Sequence, residues 1–294
     1  MPNAYATLDQ AKSYMSFASQ NNVDDEKIVG FLNKASRSIE RYCRRRFYPK
    51  RETRHYDYDG KDEIRFDWEL LALDKLLTQN GASQIPNGVV YLKTGNNYNY
   101  GPWDKLVIRS DSGSKFSYSG TDQKANQVTG FWGYHEDYSN AWVNTGTSLA
   151  SSYGASGGSI SLGGAGSAGT GASDANYDAP RISVGDLLMI EGEMMQVVGG
   201  TSPTTTLVVP YANGTSANNH PASTTIFKFA PEPDINWATL RLVSWLYGQG
   251  MSPYENKTAF LTLGTIQIPT SWAGDIRDRI DRFVRSTFVI YPDN

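Results

Sequence analysis

Three histidines, His55, His135 and His220, are the side chains best suited to move protons or hold a metal near neutral pH, and their spacing limits the chemistry available. None has a ligand partner at i+3 or i+4, so a metal or catalytic centre would need residues brought together from distant segments. Solvated or hydrogen-bonded imidazoles are the expectation. Serine hydrolysis has no Gly-x-Ser-x-Gly elbow between a strand and a helix. Glu191 and Glu193 flank a turn on one strand edge, whereas paired catalytic carboxylates come from separate elements facing across a cleft, so both are expected to be solvated turn residues.

Two further patterns resemble ligand loops. Gly164-Ala165-Gly166-Ser167-Ala168-Gly169 matches G-x-G-x-x-G, but the segment that follows, Thr170 to Asp178, does not read as a helix that could present aligned N–H groups to a pyrophosphate. Asp57-Tyr58-Asp59-Gly60-Lys61-Asp62-Glu63 opens like a calcium loop, yet Trp68 stands where the bidentate glutamate belongs, so an acidic hairpin turn is expected. No cofactor or metal is expected. Arg44-Arg45-Arg46 is the one basic run, a candidate contact with a neighbouring subunit or with DNA, or a complement to a helix C-terminus.

Composition bounds what partners are plausible. In 294 residues, 30 acidic and 27 basic side chains leave a net charge of −3, which argues against a dedicated nucleic-acid binder. The single cysteine, Cys43, excludes an intrachain disulfide framework. Met1 to Ser13 lacks a charged segment followed by an apolar core, and no run approaches 18 apolar residues, so neither secretion signal nor membrane span is expected. Seven Trp and 18 Tyr suit cores and interfaces.

The elements that must position these residues are read from periodicity. Thr7 with Gln10 forms a capping box that opens a short helix to about Ala18. A second runs from about Asp24 with Ile28, Phe31, Leu32, Ala35, Ile39 and Tyr42 on one face, and ends on the three arginines. Asp234 caps a helix to about Tyr247, with Gly248 and Gly250 as its breakers. From Trp272 onward, Ile276, Ile280, Phe283 and Val284 repeat the helical spacing, with Asp275/Arg279, Asp278/Arg282 and Asp281/Arg285 as i,i+4 pairs on other faces. Between them, short β-branched and aromatic runs alternate with Gly, Asn, Pro and Asp clusters. The expected class is α+β, a helical bundle built from both termini with two antiparallel β insertions. Residues 1–50 and 230–294 form the helical part, 51–144 a first β region, 145–176 a Gly/Ser-rich loop, and 177–229 a small β domain of four strands.

Three stretches, in this order, resemble head-to-tail connector (adaptor) proteins of tailed bacteriophages. One is the N-terminal pattern from Tyr5-Ala6-Thr7-Leu8 through Asp24-Asp25-Glu26-Lys27-Ile28 to Ile39-Glu40-Arg41-Tyr42-Cys43 and Pro49. Another is Val128-Thr129-Gly130-Phe131-Trp132-Gly133-Tyr134-His135. The last pairs the segment from Val184 to Val197 with Asn213-Gly214-Thr215-Ser216-Ala217-Asn218-Asn219-His220, and is similar to a small β domain inserted in many phage structural proteins. Tyr211-Ala212 replaces the Arg-Gly usual before that Asn-Gly-Thr turn.

This resemblance implies a non-enzymatic virion protein, a ring commonly of twelve copies beneath the portal at the capsid vertex. Its partners would be the portal protein, tail or nozzle proteins, further copies of itself and, transiently, passing DNA. Members of the group often dock through a C-terminal extension, which would assign portal contact to Phe288, Val289, Ile290 and Tyr291. A competing expectation, a carbohydrate- or receptor-binding tail module, rests on Trp132, Tyr134, Tyr138 and Trp142 lying close together in a β region.

Overall fold

The computed structural model describes residues 3–17, 22–95, 101–163, 182–202, 204–251, 257–260, 264–267 and 274–285. Two units emerge. One is Arg46–Glu232, and the other joins Met1–Arg45 to Pro233–Asn294.

The first unit begins with an antiparallel sheet of β1 (Lys50–Tyr56), β2 (Glu63–Thr78), β3 (Ser83–Ile85), β4 (Val90–Lys93), β5 (Trp103–Ile108) and β6 (Asn126–Trp132). Their order is β1-β6-β2-β5-β4, and β3 pairs with the end of β2. Strand β2 lies between β5 and β6: Glu63 to Arg65 and then Leu70 pair with β5, with the register broken between Arg65 and Leu70, while Leu70 to Leu77 pair with β6. Such a break bends a strand and lets one sheet wrap its own core. That core holds Phe66, Leu70, Leu76, Leu106, Phe116, Val128 and Trp132. Gly130 permits the close approach of β6 to β2, since a Cβ there would lie 2.3 Å from the Ala72 carbonyl oxygen.

A closed barrel follows in the same unit. Its strands are β7 (Trp142–Leu149), β8 (Ser159–Gly163), β9 (Leu187–Ile190), β10 (Glu193–Ser202), β11 (Thr205–Val209) and β12 (Thr225–Phe229), in the order β10-β11-β8-β7-β12-β9. Closure removes free edges. Leu149, Ile160, Leu162, Leu188, Ile190, Met195, Val197, Val208 and Ile226 fill the interior. Thr145 and Thr147 also point inward, and their hydroxyls donate to the carbonyls of Ile226 (2.7 Å) and Gly163 (2.6 Å).

The second unit holds α1 (Leu8–Tyr14), α2 (Asp25–Cys43), α3 (Pro233–Met251), α4 (Gly274–Ile280) and a hairpin of β13 (Lys257–Phe260) with β14 (Gly264–Gln267). Thr7 and Gln10 form both bonds of the capping box. Ile28, Leu32, Ala35, Ile39 and Cys43 of α2 are buried with Ile235, Ala238, Leu242 and Val243 of α3 and with Ile276 and Ile280 of α4. Tyrosine hydroxyls tie the helices to one another, Tyr247 to Asp24 at 2.8 Å and Tyr42 to Asp281 at 2.5 Å.

Several expectations are corrected. The fold is not an α+β helical bundle with β insertions: the chain is mostly β, built on a six-stranded sheet and a closed six-stranded barrel, with four short helices among the described residues. The span 145–176 is not simply a Gly/Ser-rich loop. Most of β7 and all of β8 lie within it, because threonine and leucine at alternate positions suffice for a barrel strand. The small β domain accordingly needs six strands rather than four. The acidic segment Asp57 to Glu63 is no hairpin turn, since β1 and β2 both pair with β6 and not with each other. Helix α3 runs past Gly248 and Gly250 to Met251. Arg279 of α4 and Arg282 just beyond it reach across to α3: both bond Asp234 (3.2 and 2.9 Å), and Asp275 bonds Arg241.

Candidate functional site

A buried cluster of titratable groups lies in the barrel. Glu191 and Gly192 both take positive φ in the two-residue turn that joins β9 to β10, a primed turn that a glycine at its second position makes easy. That turn places Glu191 and Glu193 on the same side of the chain, two residues apart. From the other side comes His220, held by a backbone bridge to Tyr153 and stacked against its ring with centroids 6.0 Å apart. His220 Nδ1 lies 2.9 Å from Glu191 Oε2 and its Nε2 lies 3.0 Å from Glu193 Oε2.

Glu193 and His220 are buried, and the remaining acceptor capacity of Glu193 is used by the backbone. Its Oε1 accepts from Tyr211 N–H at 3.0 Å, and its Oε2 also accepts from Asn218 N–H at 2.8 Å. Carboxylates only accept, so an imidazole with both nitrogens facing them donates twice only when it carries both hydrogens. Every polar atom of the buried imidazole and of the Glu193 carboxylate thus faces a hydrogen-bonding partner. The expectation that Glu191 and Glu193 are solvated turn residues is therefore corrected for Glu193; Glu191 is half-exposed. Chemically the arrangement clamps a turn and offers no open ligand position.

His135 has a different role. Its Nδ1 accepts from Asp137 N–H (3.0 Å), so the ring hydrogen sits on Nε2 and is donated to the Ala230 carbonyl (3.1 Å). Glu232, also buried, accepts from Glu136 N–H. The pair pins the turn after β6 to the end of β12. His55 lies on the exposed side of β1.

A third cluster surrounds the start of β1. The Arg54 guanidinium lies over Trp132 at 4.4 Å and Trp68 at 5.7 Å, and Arg46 lies over Trp68 at 5.2 Å and Tyr48 at 5.4 Å. Glu52 bonds Arg54 and Lys50 and stands 3.9 Å from Arg46. Burial pushes the Glu52 carboxyl up, but the hydrogen bonds from Lys50 and Arg54 outweigh it and hold it below the usual carboxylate range. Beyond this ladder lies a shallow cleft of about 510 Å³ lined by Thr53, Arg54, His55, Tyr56, Asp57 and Asp67. Asp67 there accepts from both Arg54 (3.0 Å) and Tyr56 (2.9 Å), leaving the cleft's one guanidinium neutralised from two sides.

The three candidate arginines do not act as one patch. Arg44 takes the left-handed conformation (φ 53°) at the C-terminus of α2, Arg45 N–H bonds the Glu40 carbonyl in the same unit, and Arg46 belongs to the other unit, stacked on rings. Phe288, Val289, Ile290 and Tyr291, and the Gly164 to Gly169 pattern, lie outside the described residues. Among the described residues no group of three or more His, Cys, Asp or Glu could hold a metal ion, and no helix is long and apolar enough to cross a membrane. The Glu193–His220 pair escapes sequence reading because its halves are 27 residues apart; the available signal was the Glu-Gly-Glu turn preceding a histidine in an otherwise uncharged segment. No protein-family model matches the chain, and no curated protein matches it.

Proposed function

We propose that this chain is a virion structural protein, a head-to-tail connector that assembles as a ring beneath a portal, links capsid to tail and leaves a passage for DNA. One observation carries the reading: the two sequence stretches that resemble the β domain of phage structural proteins, Val184 to Val197 and Asn213 to His220, are bound to each other through Glu193, which accepts from His220 and from Asn218 N–H. These two stretches thus belong to one physical unit, which supports reading them as a single inserted domain. Titratable groups that could do chemistry serve as clamps, which suits a building block. The portal contact assigned to Phe288, Val289, Ile290 and Tyr291 belongs to the same proposal.

The sugar- or receptor-binding reading receives less support, because none of Trp132, Tyr134, Tyr138 and Trp142 is exposed and Trp132 is buried in the sheet core. Cryo-electron microscopy of particles at the portal vertex tests the connector. Density for this chain in a ring between portal and tail is expected. Its location elsewhere in the particle, or substrate turnover by the purified chain, overturns the reading.

A further inference from the structure

We propose that the outer face of the barrel around β10 and β11 is a contact between copies of this chain. The chain carries no Asp, Glu, Lys or Arg from Tyr138 to Ser173, nor from Met194 to Phe227. Neighbouring strands β10, β11, β8 and β7 therefore hold a single charged residue, Glu193, and it points inward and is buried. Elsewhere the molecule follows ordinary practice, with 57 charged side chains over the whole sequence.

On this uncharged surface the apolar residues are exposed rather than hidden. Val198, Leu207, Val209 and Tyr211 are 41%, 36%, 48% and 54% exposed. Leu207 and Val209 alternate with the inward-facing Thr206 and Val208, and Val198 sits in the register shift between Val197 and Gly199, so all three share the outer side. Gly199 opposite Leu207 keeps the surface low: a Cβ there would lie 3.3 Å from Leu207 Cδ1. Tyr211 adds a ring whose backbone is fixed in the left-handed region (φ 44°) by its N–H bond to Glu193. Exposed apolar side chains gathered on the outer side of adjoining strands, as Val198, Leu207 and Val209 are, mark an interaction site.

Charge identifies the occupant. A partner recognised by an acidic or basic surface needs an opposite charge here, and these four strands present none. The surface that meets it without desolvating a charge or facing like charge is one equally free of both signs, and the same strands on a second copy supply it.

Only the supposition of repeated copies is shared with the connector reading. Particle imaging tests that reading, and sedimentation of the isolated full chain tests this one. Equilibrium sedimentation would compare wild type, Val209→Glu and Val209→Thr, with thermal unfolding confirming that each variant is folded. Wild type should self-associate with an affinity that changes little between about 0.05 and 0.5 M NaCl, because screening acts on charges. Val209→Glu should weaken association by about tenfold or more, while Val209→Thr stays within about threefold of wild type. A monomer at the highest soluble concentration, equal association by Val209→Glu, or a large loss of affinity in high salt overturns the proposal.

Discussion

His220 Nε2 and Glu193 Oε2 stand 3.0 Å apart, both side chains without solvent exposure, and the same carboxylate holds the backbone of Tyr211 and Asn218. Removing one partner leaves the other buried with one of its hydrogen bonds unmade. His220→Ala and Glu193→Ala should each cost roughly 3–5 kcal/mol of stability. Urea unfolding followed by tryptophan fluorescence measures it, and a loss below about 1 kcal/mol, the scale of an exposed pair, would show that the clamp is dispensable.

Glu52 sets an acid limit for the sheet. Its carboxyl is held below the ordinary value of 4.5, so its contribution is fully present above that value and is lost as pH falls through the lowered folded value. Stability of the wild type should drop on acidification over about pH 5 to 3, and Glu52→Gln should flatten that part of the profile. Parallel pH profiles of the urea midpoint for the two proteins check the sign; identical slopes would remove Glu52 from the account.

Cys43 should behave as a buried marker of unfolding. Burial pushes its thiol up to about 12, and its Sγ lies 3.8 Å from the Ile280 carbonyl. The thiolate is the reacting form, so a thiol reagent at neutral pH should label the protein only when the unit of α2, α3 and α4 opens. Labelling rates measured against urea concentration test this. Fast reaction of the native protein would contradict the burial.

Close approach makes two glycines intolerant of a methyl group for different reasons. At Gly130 the added carbon meets the Ala72 carbonyl oxygen at 2.3 Å, and at Gly214 it meets the Arg51 carbonyl oxygen at 2.2 Å with φ already at +79°. Gly130→Ala should cost about 1–3 kcal/mol by overpacking. Gly214→Ala should cost more, because backbone strain adds to the clash. Thermal shifts of the two variants, compared with Gly60→Ala, where φ is also positive but space is open, separate strain from crowding.

What the sequence made legible was local. Thr7 and Gln10 announced their capping box because both partners lie within one turn, and the buried stripe Ile28, Leu32, Ala35, Ile39 follows from helical spacing. Strand β2 was missed although Ile64, Phe66, Trp68 and Leu70 alternate with Glu63, Arg65, Asp67 and Glu69; beyond Leu70 the pattern breaks, with Leu71 and Asp74 out of phase. A candidate strand from Ser159 to Leu162 was legible and corresponds to β8, but its place in the barrel was not, because its two buried residues, Ile160 and Leu162, gain their meaning only from β11 and β7 on either side. Arg46 read as part of a charge run, yet its position over Trp68 depends on a ring that comes 22 residues later, from β2. Glu193 looked solvated because its partner His220 comes from beyond β11.

The unit containing both chain ends is interrupted by Arg46–Glu232, and this gives biosynthesis an order. At ordinary ribosomal speeds α2 must wait roughly ten to forty seconds for α3 to emerge, while the nascent sheet and barrel can already close. A message cut short before Pro233 would leave Ile28, Leu32 and Ile39 uncovered, a species for chaperones and proteases to dispose of. The completed β portion would serve meanwhile as a folded spacer between two halves still awaiting each other.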